Sequence, residues 1–403
     1  MPGIVIVGAG QAGASLAAKL RAEGYDGKVT LIGEEPWLPY QRPPLSKKYL
    51  LGEMTAERLF LRPETFYAEN EIELCTGCRV GAVDVAGRRI GVGTEVVSYN
   101  HLALTTGSVP RRLSVEIGGD LEGVHVIRTL EDIDRLSPEM VPGRRALIVG
   151  GGYVGLEAAA VARKLGLEVT LVEMAERILQ RVAARETAGY FRALHLSHGV
   201  DLREGTALER LLGTGRVCGA VLGDGTEIAV DLVIVGAGIT PATALAEATG
   251  LTLDNGIAVD AYGRSSDPHV WAAGDCASFP WRGRRIRLES VQNAIDQAEA
   301  VAVNMLGGEI EYDPKIWFWS DQYDVKLQIA GLNAGYERVV TRPGAQEGAV
   351  SHWYFARDRL IAVDAMNDPR AYMVGKRLID AGRTADPVVL ADPGADLKAL
   401  MGA

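Results

Sequence analysis

The stretch Ile4–Gly13, IVIVGAGQAG, decides the fold of this chain. It begins as an unbroken apolar run, which is typical of a parallel strand buried on both faces. Gly8, Gly10 and Gly13 follow in GxGxxG spacing. In a dinucleotide-binding turn the first glycine allows the tight turn, the second lets the backbone approach a pyrophosphate, and the third lets helix and strand pack closely. The phosphates would then meet the free N–H groups at the helix N-terminus.

The residues that follow the turn complete this pattern. A helix is predicted from Ala12 to about Glu23, and Gly24 ends it. Val29–Ile32 reads as the second strand, and Glu34 comes 21 residues after the third glycine, where an acid that holds a ribose hydroxyl is expected. Strand, glycine spacing, helix and acid agree, so the sequence predicts a dinucleotide site here.

The same pattern occurs a second time in the chain. Ala146–Val149 is an apolar strand, Gly150, Gly152 and Gly155 repeat the GxGxxG spacing, and Glu173 follows at the end of the next strand. An internal repeat is stronger evidence than either motif alone. The chain is therefore predicted to bind two dinucleotides.

Two cofactor sites in one chain favour electron transfer between two cofactors. An acid at Glu173 binds ribose hydroxyls and repels a 2′-phosphate, so the second nucleotide is predicted to be NADH rather than NADPH. Arg177 and Arg181 lie downstream and could weaken that preference.

Length and composition narrow the class of protein. A chain of 403 residues predicts two or three domains. The net charge of −10 argues against a nucleic-acid or anionic-membrane partner held by a global positive field. We expect no targeting segment, no membrane span and, with four cysteines, a reducing cytoplasmic location. The oligomeric state is expected to be a monomer or a weak dimer.

Three further groups of residues have both an ordinary and a functional interpretation. Cys75 and Cys78 form a C-x-x-C at a strand end, for which two ordinary thiols are favoured over a redox dithiol. His195 and His198 are expected on a solvated helix face rather than at a metal, and no metal site is predicted.

The stretch Trp281–Leu288, WRGRRIRL, contains four arginines. The run is either a solvated charged surface or, in an acidic protein, a docking patch for an acidic partner. We name as docking candidates Arg282, Arg284, Arg285 and Arg287. Beyond Trp317, alternating strands and many aromatic residues predict a third, smaller α+β domain with an antiparallel sheet.

Several motifs, in this order, point to one family. They are the two glycine turns, RPPLSK (Arg42–Lys47), LTTG (Leu104–Gly107), WAAGDC (Trp271–Cys276), ESVQNA (Glu289–Ala294) and WFWSDQY (Trp317–Tyr323). Together they resemble the FAD- and NADH-dependent ferredoxin reductases of bacterial oxygenase systems, over nearly the whole chain. Thr105 stands where that family more often has alanine, which is expected to shift the turn only slightly.

The resemblance implies a glutathione-reductase-like α/β fold, with two Rossmann-like dinucleotide-binding domains and a smaller α+β C-terminal domain. The implied domains are an FAD-binding domain (1–110 and 235–315), an NADH-binding domain (111–234) and a C-terminal domain (316–403). Implied FAD contacts are Gly8, Gly10, Gly13, Glu34, Lys47, Val80, Arg128, Asp275, Val291 and Trp319. Implied NADH contacts are Gly150, Gly152, Gly155 and Glu173.

The resemblance also implies a mechanism. Lys47, paired with Glu157, would lie near the flavin N5, and the two prolines before it stiffen the backbone that carries it. Trp319 would lie where electrons leave for a 2Fe–2S ferredoxin. Disulfide reductases are disfavoured because Gln11–Glu23 carries no cysteine, and the single-cysteine peroxide and coenzyme-A-disulfide reductases because residues 38–46 carry none. Relatives of apoptosis-inducing factor or monodehydroascorbate reductase, or an NADH-sensing interaction module, remain alternatives.

Overall fold

The structure, a computed structural model, describes residues 2–401 and divides into two compact units. Unit 1 consists of the chain up to Arg42, Ala56–Val109 and Ile239–Pro314. Unit 2 consists of Pro43–Thr55, Pro110–Gly238 and the chain from Lys315 onward.

The helices follow one another in this order along the chain: α1 (Gln11–Ala22), α2 (Glu64–Glu69), α3 (Leu130–Leu136), α4 (Tyr153–Lys164), α5 (Arg185–Ser197), α6 (Ala244–Ala248), α7 (Val291–Met305), α8 (Pro369–Asp380) and α9 (Pro387–Ala391).

The strands are β1 (Gly3–Val7), β2 (Val29–Ile32), β3 (Ile72–Cys75), β4 (Val80–Asp84), β5 (Arg89–Val92), β6 (Glu95–Leu104), β7 (Ser108–Pro110), β8 (Val124–Val126), β9 (Arg145–Val149), β10 (Glu168–Glu173), β11 (Asp201–Glu204), β12 (Leu208–Thr214), β13 (Arg216–Leu222), β14 (Glu227–Ala229), β15 (Leu232–Val235), β16 (Ile239–Pro241), β17 (Ile257–Ala258), β18 (Val270–Ala272), β19 (Ala277–Trp281), β20 (Arg284–Ile286), β21 (Trp317–Gln322), β22 (Val325–Gly331), β23 (Arg338–Pro343), β24 (Val350–Ala356) and β25 (Arg359–Met366).

Unit 1 is built on one mixed sheet. Its strand order is β3-β2-β1-β6-β5-β4, and β18 also pairs with β6. The strands β3, β2, β1, β6 and β18 are parallel, which requires crossovers such as α1. Every residue of β1 and β2 is buried, as their unbroken apolar sequence predicts. The helices α1 and α7 cover this core with side chains that include Leu16, Leu20 and Val301.

Unit 2 contains two main sheets. The first is parallel in the order β11-β10-β9-β15-β8, and α4 connects β9 to β10. The second is antiparallel in the order β21-β22-β25-β24-β23. A buried cluster around Trp353, Phe355 and Leu378 packs α8 onto this antiparallel sheet. The expected sheet beyond Trp317 is therefore present.

The proline-rich segment after Arg42 belongs to unit 2, whereas the domain boundaries expected from the sequence place it with the first glycine turn. Three side-chain contacts explain the difference. Lys47 binds Glu157, Tyr49 donates to Asp134 at 2.8 Å, and Glu53 pairs with Lys164 at 2.7 Å. Each contact joins residues far apart in sequence, so no local pattern could have shown them.

Candidate functional site

The first glycine turn has the geometry that a dinucleotide needs. Gly8 has φ +115°, and a Cβ there would lie 2.2 Å from the Thr105 carbonyl oxygen. A Cβ at Gly13 would lie 2.0 Å from the Gly8 carbonyl oxygen, so only glycine allows α1 to approach the strand this closely. A Cβ at Gly10 would meet nothing within 4 Å. This middle glycine therefore faces open space at the start of α1, which fits an approaching pyrophosphate.

The N-terminus of α1 is left free for such a ligand. Gly10 is its N-cap, no side chain caps it, and its first turn contains no acidic residue. Thr105, which stands where the resembled family more often has alanine, donates its hydroxyl to the Gly8 carbonyl oxygen at 2.9 Å. This hydroxyl ties two segments of the turn together rather than distorting it.

Glu34 lies just beyond β2, as the sequence predicts. Its side chain is 69% exposed, and its ion pair is a 3.6 Å contact with the exposed Arg79. The neighbouring Gly33 donates its N–H to the Cys75 carbonyl oxygen and accepts from the Cys78 N–H, both at 2.8 Å. The turn between Cys75 and Cys78 therefore supports the segment that carries the ribose-binding candidate.

The expectation of two ordinary thiols is wrong, because Cys75 and Cys78 form a disulfide. The turn at Gly77, with φ +67°, brings the two Cα atoms to 5.9 Å, within the usual range for a disulfide. Cysteine usage therefore no longer supports a reducing compartment.

The other unit 1 candidates lie on separate elements. Asp275 follows β18 and accepts a hydrogen bond from Ser108 at 2.9 Å. Val80 begins β4 and is buried, and Val291 is the first residue of α7. Nothing in the geometry of these three residues alone identifies a ligand.

Unit 2 repeats the glycine geometry around β9 and α4. Gly150 has φ +108°, and a Cβ there would lie 2.5 Å from the Gly236 carbonyl oxygen. A Cβ at Gly155 would lie 2.0 Å from the Gly150 carbonyl oxygen, whereas one at Gly152 would meet nothing within 4 Å. The second turn therefore fits a dinucleotide in the same way as the first.

Glu173, at the end of β10, is bonded to its own glycine turn. Its carboxylate accepts the N–H groups of Gly151 and Ala175, each at 2.7 Å. Arg177 is buried and directs its guanidinium toward the carbonyl oxygens of Gln180 and Ala184. The Arg177 guanidinium is therefore not positioned to bind a 2′-phosphate. The other downstream cation, Arg181, is exposed.

The expected pair of Lys47 and Glu157 is formed. Lys47 follows a short 3₁₀ turn, Pro43–Ser46, and its Nζ lies 2.7 Å from Glu157 Oε2. Glu157 lies on α4 and is 4% exposed. Its Oε2 also accepts from Ser46 Oγ and its Oε1 accepts from Ser320 Oγ, both at 2.7 Å. Two hydroxyls and one ammonium thus stabilise a buried carboxylate that would otherwise be costly.

Neither serine is predicted from the sequence, although Ser46 stands inside the RPPLSK motif and Ser320 inside the WFWSDQY motif. Strand alternation turns Ser320 and Gln322 to the buried face of β21 and leaves Trp319 half-buried, with its ring stacked on Trp317 at 5.7 Å between centroids.

Arg128 precedes the N-cap of α3, where its backbone N–H donates to Asp132.

His195 is not on a solvated helix face. It is fully buried, and this burial lowers its pKa to about 4. Its Nε2 lies 2.9 Å from Gln322 Oε1. The buried positions Ala188 and Phe191 lie seven and four residues earlier on α5, a helical spacing that could have predicted this burial. His198 is exposed, as expected, and stacks on Tyr323.

The structure separates the four arginines of the candidate patch. Arg285 donates to the carbonyl oxygens of Val259 and Ser278, and Arg287 is 10% exposed and paired with Glu289 at 2.6 Å. The exposed Arg282 and Arg284 lie at the tip of the β19–β20 hairpin.

Both tip arginines lie over the ring of Trp281, with their guanidinium carbons 4.4 and 5.8 Å from its centroid.

Across residues 2–401 the structure contains no cluster of side chains suited to a metal ion. Over the same residues, none of the helices combines the length and apolarity of a membrane span.

Residues 2–298 match the pyridine nucleotide-disulphide oxidoreductase family, and residues 317–401 match the reductase C-terminal family. Rhodocoxin reductase of Rhodococcus erythropolis is 41% identical, over 98% of this chain and 93% of its own length. A ferredoxin–NAD(P)(+) reductase of a Sphingomonas species is 44% identical, over 99% and 97%.

Among solved structures, the covalent putidaredoxin reductase–putidaredoxin complex matches with a TM-score of 0.95 and 38% identity. The match covers 100% of this chain and 98% of the matched chain. These matches confirm the predicted fold class, two Rossmann-like domains followed by a smaller C-terminal domain.

Proposed function

We propose that this chain transfers electrons from NADH to a 2Fe–2S ferredoxin. The premise is that the chain belongs to the pyridine nucleotide-disulphide oxidoreductase family and, within it, to the ferredoxin reductases of oxygenase systems. The observation that carries the proposal is the duplicated turn. Gly10 and Gly152 each open onto space at a helix N-terminus, which provides two places for a pyrophosphate in one chain.

The cofactors of this chain are FAD and NAD(P)H. When bound, FAD accepts a hydride from the nicotinamide and can release electrons one at a time. We assign FAD to the turn with Gly8, Gly10, Gly13 and Glu34, together with Val80, Arg128, Asp275 and Val291. The chain itself needs no nucleophile for this reaction, which agrees with the absence of cysteine from α1.

We assign NADH to the turn with Gly150, Gly152 and Gly155. The Glu173 carboxylate favours ribose hydroxyls and repels a 2′-phosphate. Arg177, the first of the two cations that could have weakened this preference, is buried against backbone carbonyl oxygens. NADH is therefore preferred to NADPH in this proposal.

In the same proposal Lys47 contacts the flavin and Glu157 holds its ammonium. The Lys47 and Glu157 side chains are 17% and 5% exposed, so the 2.7 Å ion pair between them fixes the position of the ammonium. Trp319 is the residue assigned to the point where electrons leave the flavin.

The ferredoxin partner follows from the family, and its docking surface is proposed here. Arg282 and Arg284 are the arginines of the run whose side chains lie at the exposed hairpin tip. Because the chain carries a net charge of −10, an acidic ferredoxin needs such a local positive surface. Cytoplasmic location and a monomeric or weakly dimeric state stay predictions.

The first experiment tests the function itself. The purified protein is reduced anaerobically with NADH or NADPH, and cytochrome c reduction is then followed with and without a 2Fe–2S ferredoxin. We expect rapid flavin bleaching by NADH and strong stimulation by the ferredoxin. Bleaching without stimulation would instead favour relatives of apoptosis-inducing factor or monodehydroascorbate reductase, or an NADH sensor, and a preparation without flavin would contradict the assignment of the first turn.

The docking surface is tested with Arg282→Gln/Arg284→Gln. We expect the Michaelis constant for ferredoxin to rise roughly threefold to tenfold at low salt, and this difference to shrink at high salt. Flavin reduction by NADH should not change. The control Arg357→Gln/Arg359→Gln removes two exposed charges from another hairpin, β24–β25. Equal effects of the two double variants would show that the docking surface lies elsewhere.

A further inference from the structure

Behind Glu157 lies a row of polar side chains that the proposed reaction does not use. Ser320 Oγ lies 2.7 Å from Glu157 Oε1, and Gln322 Nε2 lies 3.2 Å from Ser320 Oγ. His195 Nε2 lies 2.9 Å from Gln322 Oε1, and the Tyr323 hydroxyl lies 3.4 Å from His195 Nδ1. Ser320, Gln322 and His195 are each at most 1% exposed.

The bonds of this row all point the same way. Glu157 is a carboxylate and can only accept, so Ser320 donates to it and must accept from the Gln322 amide nitrogen. The Gln322 oxygen then accepts from His195 Nε2, which leaves His195 Nδ1 to accept from the Tyr323 hydroxyl. A neutral His195 suits this arrangement, and burial lowers its pKa to about 4. Each donor therefore polarises the next toward the same carboxylate.

Filling space alone would not require such a row. Apolar side chains can fill a buried position, whereas buried polar groups are costly unless each finds a partner. Here the amide of Gln322 has both a donor and an acceptor partner, and the row ends at the carboxylate that holds Lys47. The two faces of β21 thus differ, because Trp319 lies on one face while Ser320 and Gln322 lie on the other.

We propose that Ser320, Gln322 and His195 are positioning residues, which hold the Glu157 carboxylate and through it the Lys47 ammonium in the geometry used for hydride transfer. This inference rests on the proposed function for its catalytic meaning. The mechanical part, that the row restrains Lys47, can be tested without it.

The test compares Ser320→Ala with Ser351→Ala. Ser351 is also a buried serine of the antiparallel sheet, but its hydroxyl accepts from Trp353 and does not contact Glu157. Two quantities are measured on the protein as purified. One is the rate at which Lys47 is modified by reductive methylation, followed by mass spectrometry of its peptide, and the other is the rate constant of flavin reduction by NADH, separated from the NADH dissociation constant.

For Ser320→Ala we expect Lys47 to be modified several-fold faster. We also expect flavin reduction to slow about tenfold, which is the effect of one hydrogen bond to a charged group, with little change in the NADH dissociation constant. Ser320→Thr keeps the hydroxyl and should restore both values. Gln322 is one hydrogen bond further from Glu157 than Ser320 is, so Gln322→Met should change both rates in the same direction but by less.

Two results would overturn the inference. One is that Ser320→Ala behaves like Ser351→Ala in both measurements, and the other is that Ser320→Thr fails to restore them although it folds normally. If the unaltered protein were not reduced by NADH at all, the proposed function would fail instead. The Lys47 modification rates would then still decide whether the row restrains that lysine.

Discussion

The two glycine turns have nearly the same backbone, but the acids that accompany them are held differently. The first glycines have φ +115° and +108°, and a Cβ added at either third glycine would lie 2.0 Å from the carbonyl oxygen of the first. Glu34 is an exposed side chain with a single 3.6 Å ion pair. Glu173 accepts two backbone N–H groups at 2.7 Å, one from Gly151 in its glycine turn and one from Ala175 just after it.

This difference suits two ligands with different lifetimes on the protein. In the proposed assignment, a ribose that binds Glu34 replaces water and a weak surface ion pair, so no strong hydrogen bond within the protein is lost. A ribose that binds Glu173 must share oxygens that are already bonded, so the net gain is smaller. The first arrangement fits a resident cofactor, and the second fits a substrate that leaves in every turnover.

The largest effects are expected at the middle glycines of the two turns. A Cβ at Gly10 or Gly152 meets no protein atom within 4 Å, so both alanine variants should fold. Overlap with a pyrophosphate should cost about 1–3 kcal/mol, or roughly fivefold to 150-fold in affinity. Gly10→Ala should lose bound flavin, whereas Gly152→Ala should keep flavin and need more NADH for its reduction. Flavin absorbance per protein and stopped-flow titration measure the two effects.

The control for both variants is Gly189→Ala on α5, where an added Cβ also meets open space. It should change neither flavin content nor NADH affinity. If Gly152→Ala lost its flavin and Gly10→Ala did not, the assignment of the two cofactors to the two turns would have to be exchanged.

A smaller effect is expected when Glu173, the acid that accompanies the second glycine turn, is replaced. Glu173→Ala should raise the Michaelis constant for NADH about tenfold, because one charge-assisted hydrogen-bond acceptor is lost. The value for NADPH should rise less, since repulsion of the 2′-phosphate is lost with the acid, so the preference for NADH falls. Steady-state kinetics with both nucleotides measure this ratio. Glu176→Ala removes an exposed acid nearby and should leave it unchanged, and an unaltered ratio in Glu173→Ala would remove Glu173 from the specificity argument.

The smallest effect is expected at the partner of Glu34. Arg79→Gln breaks an exposed ion pair, which is worth little because water screens it. Flavin affinity, measured by reconstitution of the apoprotein, should therefore change by less than about twofold. A much larger loss would mean that Arg79 itself binds the nucleotide. The Glu34 carboxylate would then be less available to a ribose than its exposure indicates.

The parts of the fold that could be predicted from the sequence are those encoded locally. Both glycine turns, the strands before them and the acids after them depend on spacing within about 30 residues. The pair of Lys47 and Glu157 came from family resemblance, because nothing near Lys47 in the sequence indicates a partner 110 residues away.

The parts that could not be predicted depend on contacts between distant residues. The placement of Pro43–Thr55 in unit 2, the two serines on Glu157 and the inward direction of Arg287 are all of this kind. His195 is an intermediate case. Its helical spacing from Phe191 was available in the sequence, but its polarity favoured the wrong, solvated interpretation.

The state of the four cysteines makes the protein convenient for optical labelling. Cys75 and Cys78 are bonded to each other, and Cys276 is fully buried, which raises the pKa of its thiol. Cys218, on β13 in unit 2, is exposed. A maleimide fluorophore therefore attaches at a single known position without mutagenesis. After treatment with a phosphine reductant the same reagent should find three positions, so counting the dyes by mass reports the state of the Cys75–Cys78 pair.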